Sequence, residues 1–276
     1  MYSVCYSSYT KVYGTIKSRK VERKAPEQAA YRWQKYYSPK IPELDKVFDI
    51  AVAYISGEVM YYVAEKIKAK SKYVWIHNDY RAAGHPKRYD YKYFKSMNGI
   101  VSISDECVKI FNEEFPEFKS KTYCIPNLTS SIVIKKRSDE FYPSEYKKGE
   151  YKILSIGRLS KQKGFDLAIE AANKLKGRGI LFEWYVIGSG ELEAELKSEI
   201  VRVGVSDCFI LLGTRENPYP YIKNCAVFVQ PSRWEGKSVV LDEAKILAKP
   251  IVVTSYPTVK DQILDGKEGI IVDMNP

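Results

Sequence analysis

The sequence predicts an α/β protein built on parallel sheets. From residue 48 onward, short apolar runs alternate with amphipathic segments of helical period. The alternation stops near Asn127 and resumes at Lys152, so it describes two blocks. Parallel neighbours need a long crossover connection, and a helix is the usual one, which is why this alternation reads as parallel strands.

The residues before position 48 are basic, rich in tyrosine and poorly periodic, and no element is read there. In the first block, strands are expected at 48–54, 73–77, 99–103 and 121–125, with helices near 58–68, 89–96 and 105–114. Residues 127–152 carry turn signals (Pro126, Pro143) and two charged runs, Lys135 to Glu140 and Lys147 to Glu150, and read as a linker. In the second block, strands are expected at 152–156, 182–187, 208–212, 226–229, 250–254 and 269–272, with helices at 165–175, 191–201, 219–224 and 239–247. Leu167, Ala168, Ala171, Ala172 and Leu175 form one buried stripe. This block reads as a doubly wound sheet. The domains expected are 1–130, a linker 131–150, and 151–276.

A chain of 276 residues suffices for two packed domains. No apolar run is long enough to span a bilayer, and the N-terminus lacks a signal-peptide pattern. The five cysteines are odd in number and scattered. Cys124 and Cys208 sit in strand-like runs and read as reduced core residues of a cytosolic protein. Two histidines exclude a multi-histidine metal cluster. The net charge of +10 gathers partly at Lys17, Arg19, Lys20, Arg23 and Lys24 and at Lys135, Lys136 and Arg137. A solvated basic face accounts for it, as does an anionic membrane surface. No nucleic-acid-binding motif accompanies the charge, so nucleic acid is not expected as a partner.

Ligands of such sheets bind at the carboxyl ends of strands. There the sequence places Gly157-Arg158, with Lys163-Gly164 just before a helix, a pair of cations suited to a diphosphate. After the next strand come Gly188 and Gly190, and after the third the irregular Asn217-Pro218-Tyr219-Pro220 turn. After the fourth, Glu235 and Glu243 flank a turn whose amides, from Gly236 through Lys237 and Ser238 to Val239, open a helix. A helix start of this kind accepts phosphate, and carboxylates beside it accept bonds from hydroxyls. Each loop alone is equally a plain turn; their convergence on one rim points to a single elongated anionic ligand.

Gly157-Arg158 with Lys163-Gly164, the segment from Asn217 to Asn224, and Pro231-Ser-Arg-Trp-Glu-Gly-Lys-Ser with Glu243 resemble retaining glycosyltransferases of family 4. The resemblance runs from about residue 48 to 276 and includes Trp75-Ile-His77 and Ile125-Pro-Asn127. It implies the GT-B fold, two Rossmann-like domains with parallel sheets facing a cleft. It implies a nucleoside-diphosphate sugar of the UDP or GDP type as co-substrate, a saccharide or lipid-linked acceptor, and no metal or other cofactor. Arg158 and Lys163 would neutralise the diphosphate, Glu235 would hold the sugar hydroxyls, Glu243 the ribose, and the amides from Lys237 to Val239 the distal phosphate. Gly188, Asn217, Pro218 and Gly236 would line the donor site, and His77 would stand near the donor sugar.

The first strand and glycine-rich loop of that family are not found here, nor are its C-terminal helices. An incomplete N-terminal domain, a fragment of a longer chain and an exposed strand edge or apolar patch are therefore expected. Alternatives within reach of the same residues are a non-catalytic nucleotide-sugar-binding module and a GT-B epimerase or phosphorylase. The expected location is the cytoplasm, including the inner face of the plasma membrane.

Overall fold

A computed structural model describes residues 8–146 and 151–275. It comprises two compact units, Met1–Pro126 and Asn127–Pro276. The charged run at 147–150 lies outside the described residues.

The first unit holds a parallel sheet in the order β1 (Val47–Ala53), β2 (Lys68–Ile76), β3 (Gly99–Ser102), β4 (Thr122–Cys124). Helices α3 (Glu58–Lys66), α4 (Lys87–Ser96) and α5 (Asp105–Glu114) make the crossovers. The start of α5 is set locally: Ser104 caps it by accepting from the Cys107 amide at 3.2 Å, and Asp105 and Glu106 face the positive end of its dipole. Met60, Phe94, Phe111 and Phe115 fill the core. Asp90 is buried among them, where Tyr61 and Tyr80 donate to it, and desolvation raises its pKa to about 6. β1 forms one edge, with Val47, Ile50 and Val52 exposed.

The poorly periodic N-terminal stretch is helical: α1 (Ser8–Val21), α2 (Ala25–Arg32), a π-helical turn (Trp33–Tyr37) and a 3-10 turn (Ser38–Lys40). Apolar periodicity missed it because its inward contacts are small or polar. Gly14 and Ser18 are buried, Ser18 Oγ accepts from Arg32, and Trp33 Nε1 and Ser38 Oγ both donate to Glu65. Cys124, expected in the core, is exposed, because β4 is the short outer strand.

The second unit is a six-stranded parallel sheet in the order β10-β9-β8-β5-β6-β7. The strands are β5 (Tyr151–Ile156), β6 (Phe182–Ile187), β7 (Phe209–Gly213), β8 (Val227–Gln230), β9 (Ile251–Thr254) and β10 (Ile270–Val272). Its helices are α6 (Ser131–Ser138), α7 (Phe165–Gly177), α8 (Glu193–Arg202), α9 (Tyr219–Asn224) and α10 (Val239–Ile246). β5 pairs with β6 on one side and β8 on the other. Chain order therefore reverses at β5/β8, and such a switch point leaves a crevice at the strand ends. The stretch expected as linker contains α6, capped by Ser130 and anchored by buried Ile134. Its eight residues are too short and too charged to show a helical stripe.

Gly177 ends α7 with a negative φ and open space where a Cβ would stand. Gly177→Ala is expected to stabilise the second unit by about 0.5 to 1 kcal/mol through lower unfolded-state entropy, measured by urea denaturation.

Candidate functional site

The crevice at the ends of β5 and β8 is built by three loops that hold one another through backbone bonds. The loop after β5 is laced to the loop after β6: Gly157 N–H donates to the Ile187 carbonyl and Leu159 N–H to the Ser189 carbonyl, both at 2.9 Å. Gly188 makes this approach feasible, since its φ is 147° and a Cβ there would lie 1.9 Å from the Gly157 carbonyl oxygen. The β5 loop is also laced to the β8 loop. Arg233 N–H donates to the Gln162 carbonyl at 2.7 Å, and Gln162 Nε2 donates to the Trp234 carbonyl at 2.9 Å. Arg233 in turn forks onto Asp166 with bonds of 2.7 and 2.5 Å.

Lys163 and Glu235 meet in this frame at 2.6 Å, with side-chain exposures of 18% and 8%. Glu235 also accepts from Ser232 Oγ at 2.7 Å and Gln162 Nε2 at 3.3 Å, and its carbonyl accepts from Thr258 at 2.9 Å. A buried ion pair keeps its place only with such added bonds. Arg158, by contrast, is exposed, and its guanidinium has no ion pair or hydrogen bond among the described residues. The crevice thus presents one cation held by a carboxylate and one open to an incoming anion.

At the start of α10, Ser238 is already engaged. Its N–H donates to Gln262 Oε1 at 2.7 Å, its Oγ to Gln230 at 2.6 Å, and its carbonyl accepts from Gln262 at 2.8 Å. This leaves the Lys237 and Val239 amides, rather than Ser238, to meet a phosphate. Gly236 is buried beside Glu235. Asn217 is occupied as well: Nδ2 donates to the Arg137 carbonyl and Glu140, and Oδ1 accepts from the Tyr219 amide. Its side chain docks α6, while Pro218 starts α9.

Glu243 faces Tyr219, whose hydroxyl donates to Oε1 at 3.3 Å, and Arg137 covers the Tyr219 ring at 5.5 Å. Burial raises the Glu243 pKa to about 7; the Tyr219 bond opposes this and neighbouring Asp242 adds to it. A carboxyl that binds its proton more tightly when folded stabilises the fold fully below its ordinary value of 4.5 and loses that contribution as pH rises through about 7. Glu243→Gln is therefore expected to flatten the decline of stability between pH 5 and 7, measured by urea titrations at both pH values.

His77 follows β2 in the first unit, where Nε2 lies 2.9 Å from the Tyr54 carbonyl and the two rings meet edge to face. A carbonyl only accepts, so Nε2 carries a proton here. Asp79 does not pair with it, because its carboxylate caps the turn by accepting from the Arg81 and Ala82 amides. The other histidine, His85, is half-buried and stacked on Tyr80, and desolvation lowers its pKa to about 4.

Sequence reasoning missed Gln162, Ser232, Gln262 and Tyr219, which hold the named residues in place. Gln162, Ser232 and Tyr219 sat in or beside segments already marked, and Gln262 lay outside them all. Among the described residues no group of three or more His, Cys, Asp or Glu is placed to hold a metal ion.

Two parallel α/β sheets with strand-end loops of this kind define the GT-B glycosyltransferase architecture. The chain belongs to the family described as glycosyl transferases group 1, whose model matches residues 136–275, that is 140 of 276 positions. It is 29% identical over 178 residues to an uncharacterized glycosyltransferase of Methanocaldococcus jannaschii, covering 63% of this chain and 44% of the relative. It is 36% identical over 126 residues to the amylovoran biosynthesis glycosyltransferase AmsK of Erwinia amylovora, covering 43% of this chain and 31% of the relative. The chain thus spans less than half the length of these curated relatives. Anabaena HepE in complex with UDP shares the fold, with a TM-score of 0.65 at 15% identity, over 78% of this chain and 67% of that one.

Proposed function

We propose that this chain acts in a retaining, metal-independent glycosyltransferase of family 4 that moves a sugar from a nucleoside diphosphate to a saccharide or lipid-linked acceptor during surface polysaccharide or glycolipid synthesis. The second unit takes the donor and the first serves the acceptor side. The work is done in the cytoplasm, at or near the inner membrane face.

The observation that carries this reading is the pairing of open Arg158 with the Glu235-held Lys163 at the β5/β8 crevice. As the glycosidic bond breaks, negative charge builds on the leaving diphosphate. Arg158, Lys163 and the amides of Lys237 and Val239 would meet that charge, and a donor already held in place, as Lys163 is by Glu235, stabilises it with little reorganisation. Glu235 accepts bonds from the sugar hydroxyls and Glu243 from the ribose. His77 stands near the donor sugar. Support comes from the family match and from the neighbour whose structure contains UDP.

Calorimetry with UDP, GDP and ADP tests the reading and selects the base. Micromolar binding of one nucleotide is expected, and absence of binding by all three rejects the donor site. A second reading keeps the same donor residues in a nucleotide-sugar-binding module without turnover. Release of nucleoside diphosphate from a bound donor sugar in the presence of acceptor excludes it.

A further inference from the structure

Glu243 stands on the second turn of α10, half-buried. Its Oε1 accepts from the Tyr219 hydroxyl at 3.3 Å, and its Oε2 has no hydrogen bond among the described residues. An ionised carboxylate offers about four acceptor positions, so most of this one's capacity is unused. Taking such a group out of water with so few bonds is costly, and its raised pKa reflects that cost. The side chain is thus held ready for hydroxyl donors that the fold does not supply.

Tyr219 is itself fixed by its neighbours. Pro218 precedes it at the start of α9, and its amide donates to Asn217 Oδ1 at 3.2 Å. Asn217 is tied in turn to α6, through the Arg137 carbonyl at 2.9 Å and Glu140 at 2.8 Å. The Arg137 guanidinium lies 5.5 Å from the centre of the Tyr219 ring, and its charge makes the hydroxyl a better donor. Cohesion of α9 and α10 does not depend on the Tyr219–Glu243 bond, because buried Tyr221, Ile222, Leu241 and Ala244 already pack these helices into one core. What the bond adds is direction: it restrains the torsions of the Glu243 side chain and leaves Oε2 open.

We propose that Tyr219 is a positioning residue for the ribose: its hydroxyl holds one oxygen of Glu243 so that the other is presented to a ribose hydroxyl of the nucleotide. The inference deepens the proposed function and rests on the reading of Glu243 as the ribose contact. A freely turning carboxylate loses its rotamer freedom at the moment of binding, whereas a held one has lost it already. The tyrosine bond also favours the charged form of Glu243, which accepts from several directions at once. The other charges near α10 are engaged elsewhere or oppose that form. Asp242 on the same helix opposes ionisation, and Lys245 turns to the Gln262 carbonyl and Glu268. On α9, Lys223 pairs with Asp139; on α6, Arg137 faces the Tyr219 ring and pairs with Glu140 at 3.8 Å. Gln262, which reaches α10 from the segment after β9, is neutral and bonds Ser238 and Asp242.

The test is calorimetry of the whole chain with UDP, GDP and ADP from about pH 5.5 to about 8.5, in the parent, Tyr219→Phe and Glu243→Gln. Glu243→Gln has no proton to lose at this position, so dividing each profile by that variant's cancels the titration of the diphosphate itself. The parent's ratio should rise with pH through about 7, as Glu243 ionises, and level off above it. Tyr219→Phe keeps the ring beside Arg137 and removes only the hydroxyl. It should bind about threefold to tenfold more weakly near neutral pH, and its ratio should rise at higher pH than the parent's. Melting curves of the three proteins serve as the fold control. A tyrosine with a merely structural role would weaken binding equally at every pH, so an unmoved midpoint in Tyr219→Phe overturns the proposal. Parental affinity in that variant does the same. A parent ratio that is flat with pH removes Glu243 from the ribose, and the role of Tyr219 with it, while the diphosphate pocket at Arg158 stands. Absence of binding by all three nucleotides rejects the donor site and the proposal together.

Discussion

Replacing Arg158 with alanine is expected to weaken nucleoside-diphosphate binding by about tenfold to a hundredfold. Turnover with a donor sugar should fall by roughly a hundredfold or more, because the lost bonds strengthen as the diphosphate leaves. The prediction is sharp because Arg158 is exposed and without a side-chain partner among the described residues. Its removal leaves no buried group uncompensated, and the melting temperature should hardly move. Lys163→Ala would be a poorer probe. It would leave Glu235, which is 6% exposed, with no cation, and breaking such a pair costs several kcal/mol of stability by itself. Arg158→Lys should recover part of the affinity as a point charge without the guanidinium fork. Calorimetry beside differential scanning fluorimetry separates the two effects. An Arg158→Ala protein that binds nucleotide like the parent would remove the cationic pocket from the account.

The strand and helix pattern was legible because crossover units write their periods into local sequence. The α5 boundaries read from the sequence coincide with the observed Asp105–Glu114, where Ser104 and two acids mark the start. The order β10-β9-β8-β5-β6-β7 was not legible, since pairing depends on which edges meet and not on any one segment. Helices α1 and α6 escaped for a shared reason: charged segments whose inward contacts are glycine, serine or a single isoleucine leave no apolar stripe. At the site, residue types marked the cations and the acids, but what each was already bonded to could not be read. Ser238 and Asn217 looked available, and the fold had engaged both. Glu243 looked like an ordinary carboxylate, and its pKa depends on burial and on a tyrosine 24 positions away in sequence.

Gly164→Ala should produce the largest loss of stability, because two separate penalties fall on one methyl group. Gly164 caps α7 with φ at 64°, a conformation that costs an ordinary residue about 1 kcal/mol. A Cβ there would also lie 2.0 Å from the Pro231 carbonyl oxygen, a backbone atom that cannot swing aside. The β5 and β8 loops would have to part, and the bonds between Gln162, Arg233 and Trp234 that lace them would stretch. The two effects together should cost roughly 3 to 5 kcal/mol and lower the melting temperature by on the order of 10 °C. Nucleotide affinity should fall with it, since the Lys163–Glu235 pair spans the same junction. Gly179→Ala supplies the control. Its φ of 73° imposes the same backbone strain, but nothing lies within 4 Å of the added methyl. It should cost only about 1 kcal/mol and leave nucleotide binding intact. If the two variants melt together, the close contact between the loops does not exist in solution, and the rigid cradle that positions the cation pair loses its basis.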